Sequence, residues 1–369
     1  MGEVRIVIVA AGTGGHIYPG LAIGQALRER VSADISFIGR PNSPEQRAIT
    51  QQGYAFHAIK AQALPRKLSL GFVSSGALLA IGTLKSIGLL RRLKPKVIVS
   101  IGGFVAVPVT LAARLLRIPL VLHEPNALPG LANRLMARHA AVTMLSFPGA
   151  VKYLPPSAKV VVTGTPIRPE IVTTTKDEGR KALGIPPGKK LLLVVGGSQG
   201  AKSINDAMEQ AAPLLAEEKE LMILHQTGPT HFAAVREAFG GSESRVVVGN
   251  RIIVPYIQEM PLALAAADLI VCRAGAVTLA EVTAVGLPAV VIPYPFAAED
   301  HQRKNALELV NAGAATLIDD GELTGETLAR AVLEIYRDPA KATKMAQASK
   351  NLGRPQALQE IAEIILNLM

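Results

Sequence analysis

One cysteine, Cys272, stands in 369 residues. A lone thiol excludes a disulfide framework and fits a reducing compartment. Aromatic residues make up only 4% of the chain and do not interleave with its basic runs, which argues against a nucleic-acid surface built on base stacking. Between Gln46 and His123 there is no acidic residue, against 11 Lys and Arg. No G-x-x-x-x-G-K-S/T occurs, which removes a P-loop kinase, and no His and Cys spacing suggests zinc. Met1-Gly2-Glu3-Val4-Arg5 runs straight into a strand-like segment, so no signal peptide is expected.

What is present is a globular composition, 49% hydrophobic and 18% charged, long enough for two or three domains. The net charge of +10 is uneven: residues 1–164 carry +14 and residues 165–369 carry −4. That asymmetry implies an anionic partner for the first half, with a nucleic acid or an anionic membrane surface the two candidates.

Apolar runs alternate with helical stretches throughout. In the first half Val4–Val9, Asp34–Ile38, Ala55–Ile59, Val97–Ser100, Leu120–His123 and Ala141–Leu145 read as strands, with a first helix expected over Leu21–Arg30. In the second, Lys190–Val195, Met222–Gln226, Arg245–Val248, Leu269–Cys272, Ala289–Ile292 and Ala315–Ile318 repeat the pattern. Continuous apolar strands between helices indicate parallel sheets covered on both faces. The expected architecture is α/β, two doubly wound Rossmann-like domains facing across a cleft. They cover residues 1–163 and 164–354, with a terminal helix, 355–369, packing back on the first. Ligands of such sheets sit outside the carboxyl ends of the strands.

Residues 68–90 are apolar enough to raise a transmembrane reading, but Lys85 and several Gly and Ser interrupt them. A crossover helix fits better. Leu70, Phe72, Val73, Leu78, Leu79, Ile81 and Ile87 lie among Arg66, Lys67, Lys85, Arg91, Arg92, Lys94 and Lys96, a combination that suits an anionic lipid surface or a core helix with basic ends.

Three glycine turns close strands: Gly12-Thr13-Gly14-Gly15-His16, Ser100-Ile101-Gly102-Gly103-Phe104, and Gly196-Gly197-Ser198-Gln199-Gly200-Ala201. Glycine lets backbone approach a ligand, and helix starts offer N–H groups to phosphate. A dinucleotide site fails, because Ile17 replaces the third glycine and no acidic residue follows the second strand. Cys272-Arg273-Ala274-Gly275-Ala276-Val277-Thr278-Leu279-Ala280-Glu281 suits a diphosphate at its turn and a sugar diol on Glu281.

These motifs, with Pro19-Gly20, His123-Glu124, Asn126, Pro129-Gly130, Asp300-His301-Gln302 and Asn305, resemble those of the MurG family across nearly the whole chain. The resemblance implies the GT-B fold and transfer of N-acetylglucosamine from UDP-GlcNAc to the 4-hydroxyl of the MurNAc of lipid I, the undecaprenyl-diphosphate-linked MurNAc-pentapeptide. The product is lipid II, β-1,4 linked by inversion, with no metal and no cofactor. It implies a peripheral enzyme at the cytoplasmic face of the bacterial cell membrane, with other cell-wall synthesis proteins as candidate partners and no nucleic acid. Carried over by motif, Thr13, Gly14, Gly15, Asn126, Arg168, Ser198, Ile257, Ala276, Val277, Thr278, Leu279, Ala280, Glu281 and Gln302 line the donor site. In that assignment Ile257 contacts uracil, Glu281 holds the ribose and Gln302 reads sugar hydroxyls. Gly14, Gly15, Gly102 and Gly103 face the acceptor diphosphate. Pro125 stands where the family usually has Gln, and Thr165 where it often has Asn.

Inversion needs a base on the acceptor hydroxyl. His16 is the first candidate, since histidine titrates near neutrality; Glu124 is the rival base or an orienting group. Two other readings stay open: another GT-B enzyme, such as a glycolipid glycosyltransferase or a UDP-GlcNAc 2-epimerase, and a non-catalytic nucleotide-sugar-binding protein.

Overall fold

The computed structural model describes residues 4–11, 14–59, 70–242 and 244–369. Gly12, Thr13, Arg66 and Lys67, and the side chains of Leu70, Phe72 and Val73, therefore lie outside the described part. The chain divides into two compact units, residues 1–167 with 356–369, and residues 168–355.

In the first unit, β1 (Val4–Ala10), β2 (Ala33–Gly39), β3 (Ala55–Ala58), β4 (Val97–Gly102), β5 (Leu120–Glu124), β6 (Val142–Leu145) and β7 (Val160–Val162) form one sheet in the order β3-β2-β1-β4-β5-β6-β7. Every pairing in it is parallel. The order reverses direction between β1 and β4, so the crevice for a ligand opens at their carboxyl ends. β7 was not expected from the sequence; its Val160-Val161-Val162 is a three-residue edge strand, too short for periodicity to mark.

One face of this sheet packs on Ile17, Ile23 and Leu27 of the first helix and on Leu358, Ile361, Ala362 and Ile365 of the helix Ala357–Leu366. Arg30 reinforces that return, reaching the Gln359 carbonyl at 3.4 Å and Glu363 at 3.6 Å. The first helix runs from Gly14 to Arg30 with Pro19 inside it, seven residues earlier than the sequence suggested. Pro19 sits in the second turn of that helix, where it removes one donor near an end whose first N–H groups already lack intrahelical partners.

Lys85, Arg91 and Arg92 are exposed on the helix Leu70–Leu93, as are Ile81 and Leu84, whereas Ser86 and Leu90 are buried. Among the described residues no helix is long and apolar enough to cross a membrane.

In the second unit, β8 (Lys190–Val195), β9 (Leu221–Gln226), β10 (Val246–Val248), β11 (Arg251–Val254), β12 (Leu269–Cys272), β13 (Ala289–Val291) and β14 (Ala315–Leu317) lie in the order β10-β11-β9-β8-β12-β13-β14. This sheet is not wholly parallel: β10 and β11 form an antiparallel hairpin through Gly249-Asn250. The direction switches between β8 and β12. Two helices absent from the sequence reading are set by their caps. Thr175 and Glu178 close a capping box on Lys176–Leu183, and Asp338 caps Pro339–Leu352. Cys272 is fully buried at the end of β12, where burial pushes its thiol up to about 12.

Candidate active site

Both switch points carry the glycine turns expected at strand ends. In the first unit His16 lies in the opening turn of the helix after β1, half-buried. Its ring stands against Gly102 at the end of β4. A Cβ on Gly102 would come within 3.4 Å of His16 Cδ2 and Nε2 and 3.6 Å of Asn133 Nδ2, and the residue's φ is +110°. Gly103, φ +88°, leaves no room for a Cβ beside the Ala11 carbonyl oxygen. Both positions need glycine for their conformation, and Gly103 needs it for space as well.

Behind His16, His123 is completely buried on β5. Its Nε2 lies 3.0 Å from the Gly164 carbonyl oxygen, which can only accept, so Nε2 carries the proton. Desolvation brings its pKa down to about 4; the Gly164 bond opposes that and His16 adds to it. The ring is therefore neutral, with Nδ1 lacking a hydrogen-bond partner among the described residues.

Glu124, the last residue of β5, is buried as well. Its Oε1 accepts the Asn126 N–H at 3.0 Å and Asn126 Nδ2 at 3.1 Å. Its Oε2 accepts the Gly130 N–H and Asn133 Nδ2, both at 2.8 Å. Burial holds the carboxyl above its ordinary value, and the four donors offset that only in part. One carboxylate thus folds the loop from Asn126 to Gly130 around itself. Glu124→Gln turns one acceptor into an NH₂ facing N–H donors, at about 1–3 kcal/mol for each group left unpaired. The thermal transition of the first unit should fall by at least about 4 °C in calorimetry; an unchanged transition would contradict the anchoring role. The unusual Thr165 is buried and pairs its hydroxyl with Ser146 Oγ at 2.6 Å, and the Gly164 beside it holds His123.

In the second unit, Gly196–Gly200 closes β8 with Ser198 exposed. The helix Ala276–Val285 follows β12 with Gly275 as N-cap, which offers no side chain to cap the first amides. Ala276 and Leu279 are buried, while Val277, Thr278 and Ala280 are half-buried. Glu281 keeps 14% of its side-chain surface exposed. Desolvation pushes its carboxyl up to about 7, opposed by the Arg168 guanidinium 3.8 Å away. Arg273 braces the region: it donates to the carbonyls of Ile292 and Pro293, to Asp320 and to Ser203.

Gln302 accepts the Tyr294 N–H at 2.9 Å on Oε1. Just before it, Glu299 and Asp300 both adopt left-handed backbone, at φ +51° and +57°, an uncommon pair for non-glycine residues. Asn305 is buried and donates to the Ala274 carbonyl, tying Gln302's helix to the turn after β12. Ile257 is buried, and its N–H donates to Gln226 Oε1 at 2.9 Å.

The structure thus gathers His16, Gly102, Gly103, Glu124 and Asn126 at one switch point. It gathers Ser198, Ile257, the 276–281 stretch, Arg168 and Gln302 around the other sheet's carboxyl edge. Asn133 and Gln226 escaped the sequence reading. Gln226 had a signal, since His225-Gln226-Thr227-Gly228 is a further strand end closed by glycine, with φ +83° at Gly228.

Two Rossmann-type units with glycine turns at their switch points are the GT-B architecture. Residues 6–144 match the N-terminal domain of glycosyltransferase family 28 and residues 191–361 its C-terminal domain. The UDP-N-acetylglucosamine--N-acetylmuramyl-(pentapeptide) pyrophosphoryl-undecaprenol N-acetylglucosamine transferase of Desulforudis audaxviator is 42% identical, covering 99% of this chain and 98% of that protein. The protein of the same name from Halothermothrix orenii is 41% identical, covering 98% of each. The crystal structure of Acinetobacter baumannii MurG superposes with a TM-score of 0.80 at 31% identity, over 99% of this chain and all of that one. A Staphylococcus aureus MnaA structure with UDP has a TM-score of 0.68 at 15% identity, a likeness of fold alone. The chain belongs to the MurG family within glycosyltransferase family 28.

Proposed function

We propose that this protein is the inverting N-acetylglucosaminyltransferase that converts lipid I to lipid II, using UDP-GlcNAc as donor in peptidoglycan synthesis. The observation that carries this reading is the 42% identity, over 99% of the chain, to a transferase of that name. His16 takes the proton from the acceptor 4-hydroxyl as its oxygen attacks the anomeric carbon, and UDP leaves from the opposite face. Glu124, with both oxygens engaged by N–H donors, acts as the orienting group: it shapes the loop that presents Asn126. Gly14, Gly15, Gly102 and Gly103 face the acceptor diphosphate.

On the donor side, the uncapped amides at Ala276 and the Ser198 turn stabilise the charge growing on the departing diphosphate. Ile257 contacts uracil, Glu281 takes the ribose hydroxyls, and Gln302 reads the transferred sugar. Thr13, which lies outside the described residues, Gly14, Gly15, Asn126, Arg168 and residues 277–280 complete the donor contacts. UDP release from UDP-GlcNAc is the test. Release that depends on a lipid I analogue is expected. Release without acceptor would favour an epimerase, and no release at all a binding protein.

The basic first unit rests on the cytoplasmic face of the membrane in this reading. Ile81 and Leu84 are exposed on the same helix as Lys85, Arg91 and Arg92, the mixture that anionic lipid attracts. Replacing Lys85, Arg91 and Arg92 by Glu should weaken binding to anionic vesicles, with about 1 kcal/mol lost per cation removed and a steep dependence on salt. Vesicle sedimentation that is unchanged by the triple substitution would reject this face.

A further inference from the structure

Gln226, the last residue of β9, is 1% exposed and makes two bonds of opposite sense. Its Nε2 donates to the Gly197 carbonyl at 2.8 Å, and its Oε1 accepts the Ile257 N–H at 2.9 Å. Turning the amide over would set oxygen against oxygen and N–H against N–H, so the side chain has one workable orientation. The Gly197 carbonyl also accepts the Gly200 N–H at 2.9 Å, the bond that closes the glycine turn after β8. Gln226 therefore joins that turn to the backbone after β11.

The surrounding strand end is fitted closely to the backbone of the same turn. A Cβ on Gly200 would lie on the Thr227 carbonyl oxygen, and one on Gly228 on the Gln199 carbonyl oxygen. Asn205, in the helix that follows the turn, pairs with His225 Nε2 at 3.0 Å and donates to the Thr227 carbonyl at 2.9 Å.

We infer that Gln226 is a positioning residue for the donor nucleotide: it holds the glycine turn that meets the diphosphate in register with the Ile257 backbone that meets the uracil. Recognition of base and of diphosphate then reinforce one another through one side-chain amide. This inference rests on the donor site proposed above.

The test is calorimetric titration of the full-length protein with uridine and with UDP. The ratio of the two affinities measures what the diphosphate adds. Gln226→Leu, which removes both bonds, should lower that ratio about tenfold or more, while its circular dichroism stays native. Gln226→Glu gives a second readout that plain destabilisation does not. Its carboxyl, once protonated, again has an O–H for Gly197 and a C=O for Ile257. Its ratio, normalised to the unsubstituted protein at each pH, should recover as pH falls from 8 to 5.5. His225 next to it does not titrate there, since burial holds it down at about 3. If the unsubstituted protein binds UDP no better than uridine, the donor site itself is wrong and the inference falls with it. If it binds UDP better but Gln226→Leu keeps the same ratio, or Gln226→Glu shows no recovery, the positioning role alone is overturned.

Discussion

His16→Ala is expected to lower kcat by about 10²–10⁴-fold, the usual range for loss of a general base, and to leave the affinity for UDP-GlcNAc within about threefold, since only the proton transfer is lost and not donor binding. The ring sits at the first unit's switch point with Gly102 pressed against it, whereas uracil, ribose and most diphosphate contacts are assigned to the second unit. Neutral His123 behind it would place no second positive charge next to the imidazolium that this role requires. Single-turnover rates with a lipid I analogue, beside donor titration, separate the two quantities. Turnover near that of the unsubstituted protein would remove His16 from the mechanism and return Glu124 to candidacy.

Glu281 should show the second large effect. A carboxylate that accepts two ribose hydroxyls makes two charge-assisted bonds, each about 1.5–3 kcal/mol. Glu281→Ala should therefore weaken UDP-GlcNAc binding by about 10²-fold or more. The pH dependence has opposite signs in the two states. In the free protein the carboxyl titrates at about 7, above its ordinary 4.5, so the folded state holds a proton that the unfolded state has released. The stability tied to that proton is present below pH 4.5 and is lost as pH rises through 7. Donor binding needs the ionised form and should strengthen over the same rise. Glu281→Gln should flatten both trends. Calorimetry of the free protein and donor titration between pH 5.5 and 8 read them out; equal donor affinity across that range would refute the ribose assignment.

The turns of the candidate site were legible because glycine advertises such backbone in sequence. Gly102 and Gly103 are readable as a pair, and the structure supplies the reason in the Ala11 carbonyl and the His16 ring that they approach. The extent of the first helix was less legible. Gly14 and Gly15 looked like loop, yet they form its first turn, because an apolar stripe beginning at Ile17 packs on the sheet. The Gly249-Asn250 hairpin and the Thr175-x-x-Glu178 capping box were available signals that a search for alternating strands and helices passed over. Asn133 and Gln226 are of another kind. A buried amide gains meaning only from partners far along the chain, and neither periodicity nor spacing carries that information.

The helix Ala357–Leu366 supplies four residues to the core of a sheet whose strands end at Val162. A ribosome makes that sheet first, then the whole of residues 168–355, and only then the helix that covers its open face. During synthesis the first unit waits with Ile6, Ile8 and Phe37 incompletely covered, while the second can finish its own core before it. Maturation of this protein thus runs opposite to the order of its sequence, and a pause in translation before residue 356 would leave His16 on the unfinished half.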